Sequence, residues 1–311
     1  MSLPRVSIGL PFVKDANLFA DAIRSVFAQT FSDWELILVD DGATEECLSV
    51  AQSLQDPRVL FVRDDCRNRG QAYRRNQIAR IARGEYIAVM DADDVMHPER
   101  LARQVQYLDS RPDVHAVGSD TYIINKKNQV VKKRTALCMG ASLAAVLKGR
   151  HVLHPTITAR AEWFRQNPYD PAFRRCEDRE LWCRTCTTSV FGHIPEPLFF
   201  YRQGDVNVQN YINSYRADHE LVRRYGGSSL GFVSSACRIL LFRLKILAYQ
   251  ACGFVNAQSV LAHWYSEPLS QHESLSAARI LGDILRMPFP GSLSFEQEES
   301  ADSAEQEAMS R

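Results

Sequence analysis

Two periods of apolar and polar residues run through the first hundred positions. The segments RVSIGL, ELILV, RVLFV and YIAVM are nearly continuous apolar runs bounded by polar residues, which predicts buried strands. Between the first two, Leu18, Phe19, Ala22, Ile23, Val26 and Phe27 recur at helical spacing, so a helix is expected over residues 17–29. Further helices are expected over 45–54 and 72–82, the second entered through the polar loop RDDCRNRGQ and ended before Gly84. Strand and helix in strict alternation predict a mainly parallel sheet with helices on both faces, an α/β class.

Beyond Pro98 the pattern changes. A helix in ERLARQVQYLD, a strand in HAVGSDTYII and a basic turn-like stretch NKKNQVVKKR suggest an antiparallel extension, and residues 192–202 suggest another strand. After about residue 215 long apolar and basic helical stretches take over. The expected organisation is an α/β domain over 1–215, a helical region over 216–290 and a tail over 291–311. The tail is rich in Ser, Glu, Ala and Gln and is expected to be disordered.

Composition narrows the function. Of 311 residues 45% are hydrophobic and 24% charged, a globular balance. Lys plus Arg equals Asp plus Glu at 37 each, which argues against a chain built as a whole to coat nucleic acid or an anionic membrane. The neutrality is a sum of unlike parts, since residues 296–311 hold six acids and one base. The eight cysteines form no disulfide framework and the first residues resemble no secretory leader, so a cytoplasmic protein is expected. No window reaches the roughly 18 apolar residues of a spanning helix.

The chemistry sits at strand ends. ELILV runs into Asp40, Asp41 and Gly42, and YIAVM runs into Asp91, Ala92, Asp93 and Asp94. In an open parallel sheet the ligand crevice lies beyond the carboxyl ends of the strands, so both clusters face one cleft. Clustered carboxylates are explained by a divalent cation, Mg²⁺ or Mn²⁺, that shares its oxygen ligands with substrate phosphates; a single Asp capping a turn is the simpler alternative for Asp40 or Asp91. A calcium loop is excluded, because Val95, Met96 and Ala102 stand where it needs a ligand, Gly and Glu. A zinc site on Cys176, Cys183, Cys186 and His193 has the wrong spacing and reads as buried thiols.

The segments QTFSDWELILVDDG, NRGQAYRRN, GEYIAVMDADD, HPT and CEDRELWCR, in this order, resemble family 2 glycosyltransferases of the GT-A fold. The resemblance spans residues 4–203. It implies a nucleoside-diphosphate sugar donor, a UDP-sugar first among them, and a divalent metal. Asp41 would read the nucleotide base, with Pro11 and Phe12 as the floor of that pocket. Asp93 would hold the metal, Asp91 would lie near ribose and metal beside Ala92, and Arg75 would belong to the donor site, although a helix surface pair with Asn76 explains it nearly as well.

An inverting displacement needs a carboxylate separate from the metal pair to take the acceptor proton. Glu177-Asp178 resembles the family's motif and makes Asp178 the candidate base, while locally the sequence Asp-Arg-Glu-Leu fits a helix N-cap equally well. His154, Glu177 and Arg202 are candidates for contacts to acceptor or diphosphate, against a structural histidine and a surface ion pair. A processive synthase is disfavoured, because spanning helices and a Gln-x-x-Arg-Trp motif are both missing.

From 221 to 266 there is no acid, while Arg223, Arg224, Arg238, Arg243 and Lys245 stand among apolar residues. This reads as an interfacial segment able to touch anionic lipid, peripheral on the inner face of the cell membrane; packing on the catalytic domain or in a homodimer is the alternative. The expected partners are the donor and a saccharide or lipid-linked saccharide acceptor, with no nucleic acid. A sugar nucleotidyltransferase and a non-catalytic nucleotide-sugar-binding module are the competing functions.

Overall fold

Strand β1 (Val6–Phe12) is buried along its whole length and pairs in parallel with β2 (Trp34–Asp40) on one side and β4 (Tyr86–Val89) on the other. A strand paired at both edges and covered on both faces must be apolar throughout, which is why it reads as a run. The computed structural model describes residues 3–65, 67–135, 142–204, 207–254 and 268–290. β3 (Val59–Val62) completes the parallel part beyond β2. The connections are α1 (Ala16–Phe27), α2 (Glu45–Gln52) and α3 (Gln71–Ile81), each within two residues of its expected start or end. Gly84 is required by close packing: a Cβ there would sit 2.6 Å from the backbone nitrogen of Ser7.

The extension is mixed. β8 (Thr158–Arg160) is antiparallel to β4 and to β6 (Ala116–Ile124), β6 runs parallel to β9 (Phe191–Arg202), and β5 (Val95–Met96) is antiparallel to β9. β7 (Val130–Arg134) pairs antiparallel with β6, so the basic stretch is a hairpin arm. The order is β3-β2-β1-β4-β8-β6-β9-β5.

Successive strand residues feed opposite faces. On β2, Trp34, Leu36 and Leu38 join a core with α1, α2 and α4 (Arg100–Asp109), while Ile37 and Val39 join a core with α3, α6 (Ala161–Gln166) and α7 (Glu177–Thr185). The short α5 (Leu143–Leu147) adds Val146 and Leu147 to the second core.

Two long helices follow, α8 (Val208–Ser229) and α9 (Phe232–Phe254), packed on one another across Gly231, whose φ of 79° suits the turn. Leu221, Val222 and Phe242 bury into the second core, so these helices pack on the outside of that core. α10 (Gln271–Leu285) starts with a capping box of Ser270 and Glu273 and returns to the sheet, where Ala277, Leu281 and Ile284 close a third cluster with Val95, Ile124 and Phe200. Among the described residues no helix is long and apolar enough to cross a membrane. The expected tail at 291–311 lies outside the described residues.

Candidate active site

The first acidic strand end divides its labour. Asp40 accepts from the backbone N–H of Gly42 (2.9 Å) and Ala43 (2.7 Å), so it caps the turn, and Gly42 supplies the φ of 78°. Asp41 turns to the loop ahead of α3. Its Oδ1 accepts from the N–H of Arg69 at 2.7 Å and from Arg74 Nε at 2.9 Å, and its Oδ2 accepts from the N–H of Gly70 at 3.1 Å. Arg74 is wholly buried and also donates to Asp64. Asp41 lines the cleft while its charge is satisfied from within the protein. Pro11 and Phe12 are buried at the end of β1, with Phe12 stacked on Phe19 at 4.4 Å, and the residue that reaches the cleft wall there is Val13.

The second acidic end is a tight turn between β4 and β5. Asp94 is buried, and its Oδ1 accepts from the N–H of Arg202 at 2.6 Å. Burial, then the charges of Asp93 and Asp91, hold its carboxyl well above the usual range. Arg202 Nε donates to the carbonyl of Asp93 at 2.7 Å, and its Nη1 to Asn128 Oδ1 at 2.6 Å. Arg202 therefore grips the turn from below. Arg100, also buried, lies beneath the same turn with Nη2 donating to the carbonyls of Val89 and Ile157, and burial lowers it to about 9.

Asp93 points outward beside Ala92. Its carboxylate is open to water on one side and crowded by protein on the others; that crowding, then the field of Asp91, pushes it up to about 6. Among the described residues no three His, Cys, Asp or Glu side chains converge as a metal centre. Asp91 and Asp93 can still contribute one or two carboxylates to a cation whose other ligands come from a diphosphate. The raised Asp93 fits that use, because a cation offsets both the burial of the charge and the repulsion from Asp91 that raise it.

Arg75 joins the two halves of the site. Its Nη2 donates to Asp91 Oδ1 and its Nη1 to Glu177 Oε1, both at 2.7 Å, with the guanidinium buried. Glu177 opens α7, preceded by Cys176 in the left-handed region at φ 57°. Asp178 is the second residue of the helix, so the N-cap position falls to Cys176. Burial acts to raise Asp178; protonated His154 and His151 act against it at low pH, and the N–H and guanidinium of Arg179 do so at any pH, so that the carboxyl stands below its ordinary value. The first turn of a helix also favours negative charge.

His154 sits in the single helical turn His154–Thr156, with Nε2 2.8 Å from the Tyr169 hydroxyl. Burial, reinforced by Arg75, drives it down to about 3, so the ring is neutral at physiological pH. Arg179 bonds Asp218 of α8 and fixes α7 against the long helices.

Asp41, Arg75, Asp91, His151, His154, Glu177, Asp178 and Arg202 share the lining of one cleft of about 910 Å³, whereas Pro11, Phe12, Ala92 and Asp93 do not line it. That volume is in the upper range of small-molecule sites. Arg74, His151 and Tyr169 were not singled out from sequence. Arg74 had a signal, as the first of the adjacent pair of arginines in NRGQAYRRN, but a charge on a helix is ordinarily read as solvated.

The family model for glycosyl transferase family 2 matches residues 7–191, more than half of the chain. An uncharacterized glycosyltransferase of Methanocaldococcus jannaschii is 28% identical over 221 residues, covering 68% of this chain and 75% of that protein. A colanic acid biosynthesis glycosyl transferase of Escherichia coli is 40% identical over 101 residues, 32% of this chain and 36% of the relative. In structure, the Pyrobaculum calidifontis mannosyltransferase PcManGT, solved with GDP-Man and Mn²⁺, superposes with a TM-score of 0.55 at 13% identity, covering 92% of this chain and 86% of that one. S. aureus TarS with UDP-GlcNAc gives 0.54 at 14% identity, covering 90% and 80%. At such identity these likenesses bear on the fold, which is the GT-A arrangement.

Proposed function

From the premise that the chain belongs to glycosyl transferase family 2 and is a glycosyltransferase, we propose that it moves one sugar, with inversion, from a nucleoside-diphosphate sugar to an acceptor hydroxyl, with Asp178 as general base. This takes the place of the nucleotidyltransferase and the non-catalytic module. The observation that carries the reading is the Arg75 bridge, which seats the donor-side Asp91 and the N-terminus of α7 on one cleft.

Asp178 is ionised at neutral pH, as a base must be. It takes the proton as the acceptor oxygen bonds to the anomeric carbon, while the bond from that carbon to the diphosphate breaks. A divalent cation held by Asp93 and Asp91 would neutralise the departing diphosphate. Arg202 and Arg100 keep the turn that carries those acids in place, and the neutral His154, fixed by Tyr169, offers a hydrogen bond without adding charge. The solved neighbours with UDP-GlcNAc and with GDP-Man and Mn²⁺ support a nucleotide-sugar donor and a divalent metal, and a UDP-sugar is the first donor to test. The colanic acid relative supports an acceptor in a surface polysaccharide pathway.

The test is a screen of nucleoside-diphosphate sugars for metal-dependent diphosphate release, run beside Asp178→Asn. The variant should keep donor affinity and lose about 10²- to 10⁴-fold in turnover, the usual worth of a general base. Undiminished turnover would remove Asp178 from the role.

A further inference from the structure

Helix α9 presents two opposite faces. The inner face carries Phe242 and Tyr249, both buried, and Tyr249 stacks on Tyr211 of α8 at 4.9 Å where the two help line the cleft. The outer face carries Val233, Leu240, Leu244 and Leu247, spaced by seven, four and three residues, with 74%, 57%, 54% and 60% of their surfaces exposed. A continuous apolar stripe of this kind is uncommon on a soluble monomer and marks an interaction site. One exposed cation borders it. At about 100° per residue, Arg243 falls on one flank, whereas Lys245 lies toward the inner face, its ammonium 5.2 Å over the ring of Tyr215.

We propose that this face of α9 lies on an anionic lipid surface, with the leucines below the phosphate level and Arg243 at it. The charge pattern selects this occupant. From residue 221 to 266 the chain has no Asp or Glu, so two copies of α9 placed face to face would oppose cations with no acid on either helix to pair them, whereas a bilayer of anionic lipids supplies both the apolar layer and the counter-charge. The fold adds a geometric reason. The cleft lies on the other side of the same helix, and a helix is about 10 Å across, so docking brings the cleft to within one helix diameter of the lipid. The docking stands independently of the glycosyl-transfer reading; its consequence for that reading is an acceptor whose lipid end stays in the membrane while its hydroxyl reaches the cleft.

The experiment is co-sedimentation of the full chain with vesicles of phosphatidylcholine alone and with about 30% phosphatidylglycerol, at low and high salt. The chain should pellet with the anionic vesicles only, and less at high salt. The pair Leu240→Glu with Leu244→Glu, both exposed and so compatible with folding, should cut the bound fraction about tenfold or more, and Arg243→Gln should weaken binding and its salt dependence; circular dichroism confirms that both variants fold. The proposal fails if the wild type stays in the supernatant with anionic vesicles, or if the double leucine variant binds them unchanged. A wild-type dimer that this variant dissociates, with no vesicle binding, would assign the face to a second copy instead.

Discussion

Arg75 donates to Glu177 at 2.7 Å across 102 residues of chain, and this contact fixes the start of α7 against α3. The same guanidinium holds Asp91, so one buried cation separates two carboxylates that would otherwise repel. Arg75→Gln should leave both acids unpaired in a poorly hydrated place. A loss of about 3–5 kcal/mol in unfolding free energy is expected, together with weaker donor binding, read by thermal denaturation and by donor titration. Arg75→Lys should recover only part of each, since a single ammonium lacks the two-pronged reach.

Asp93, raised to about 6, gives the proposed metal site a pH dependence with a definite sign. The native chain keeps a proton there that the unfolded chain, near 3.9, has given up. Without metal this site therefore costs stability as pH rises from about 4 to 6. A divalent cation binds the ionised form, so Mn²⁺ should raise the melting temperature more at pH 7.5 than at pH 5, and Asp93→Asn should abolish the difference. Chelation of the metal should likewise stop diphosphate release.

His154 should behave oppositely. Its folded value of about 3 lies below the unfolded one, so the native ring stays neutral while the unfolded ring gains a proton below about 6.5. Stability from this residue is complete above that pH and is lost as pH falls from there toward 3. The ring carbon resonances of His154 in an NMR titration should show no protonation between pH 5 and 8. An imidazolium in that range would remove its role as an uncharged hydrogen-bonding group.

Trp182 packs behind the proposed base, Asp178. Fully buried, it stacks with Trp163 at 6.2 Å and meets Phe191 edge-on at 5.2 Å, which anchors the helix that carries Asp178. Trp182→Ala should cost about 3–5 kcal/mol in stability. Where the variant remains folded, turnover should fall more than donor affinity, because α7 loses its seat while the donor-side acids keep theirs.

Long buried strands and amphipathic helices were legible because their periods extend over enough residues to be read: β1, β2, β4 and α1 sit where the pattern puts them. The two-residue β5 and three-residue β8 contain too few positions for any period, and they are strands only because β9 and β4 supply partners. The strand expected over 192–202 is β9, within one residue, and the structure keeps it continuous through Pro195 and Pro197 by shifting register opposite Ser119 and Asp120. The acids were visible as clusters at strand ends. What they bind within the protein was not. Arg74 and Arg202 look like surface charges in sequence, and only the fold shows each turned inward onto an acidic turn.

The closing of the third cluster by α10 has a bearing on how the acidic turn is held. Val95 follows directly on the turn that carries Asp91 and Asp93, and its underside is covered by Ala277, Leu281 and Ile284 from the last described helix. Closing so distant a contact has an entropic cost that the apolar burial under the turn must offset. The acidic turn thus depends, for the cover of its underside, on a helix that lies outside residues 7–191, the part of the chain that the family shares.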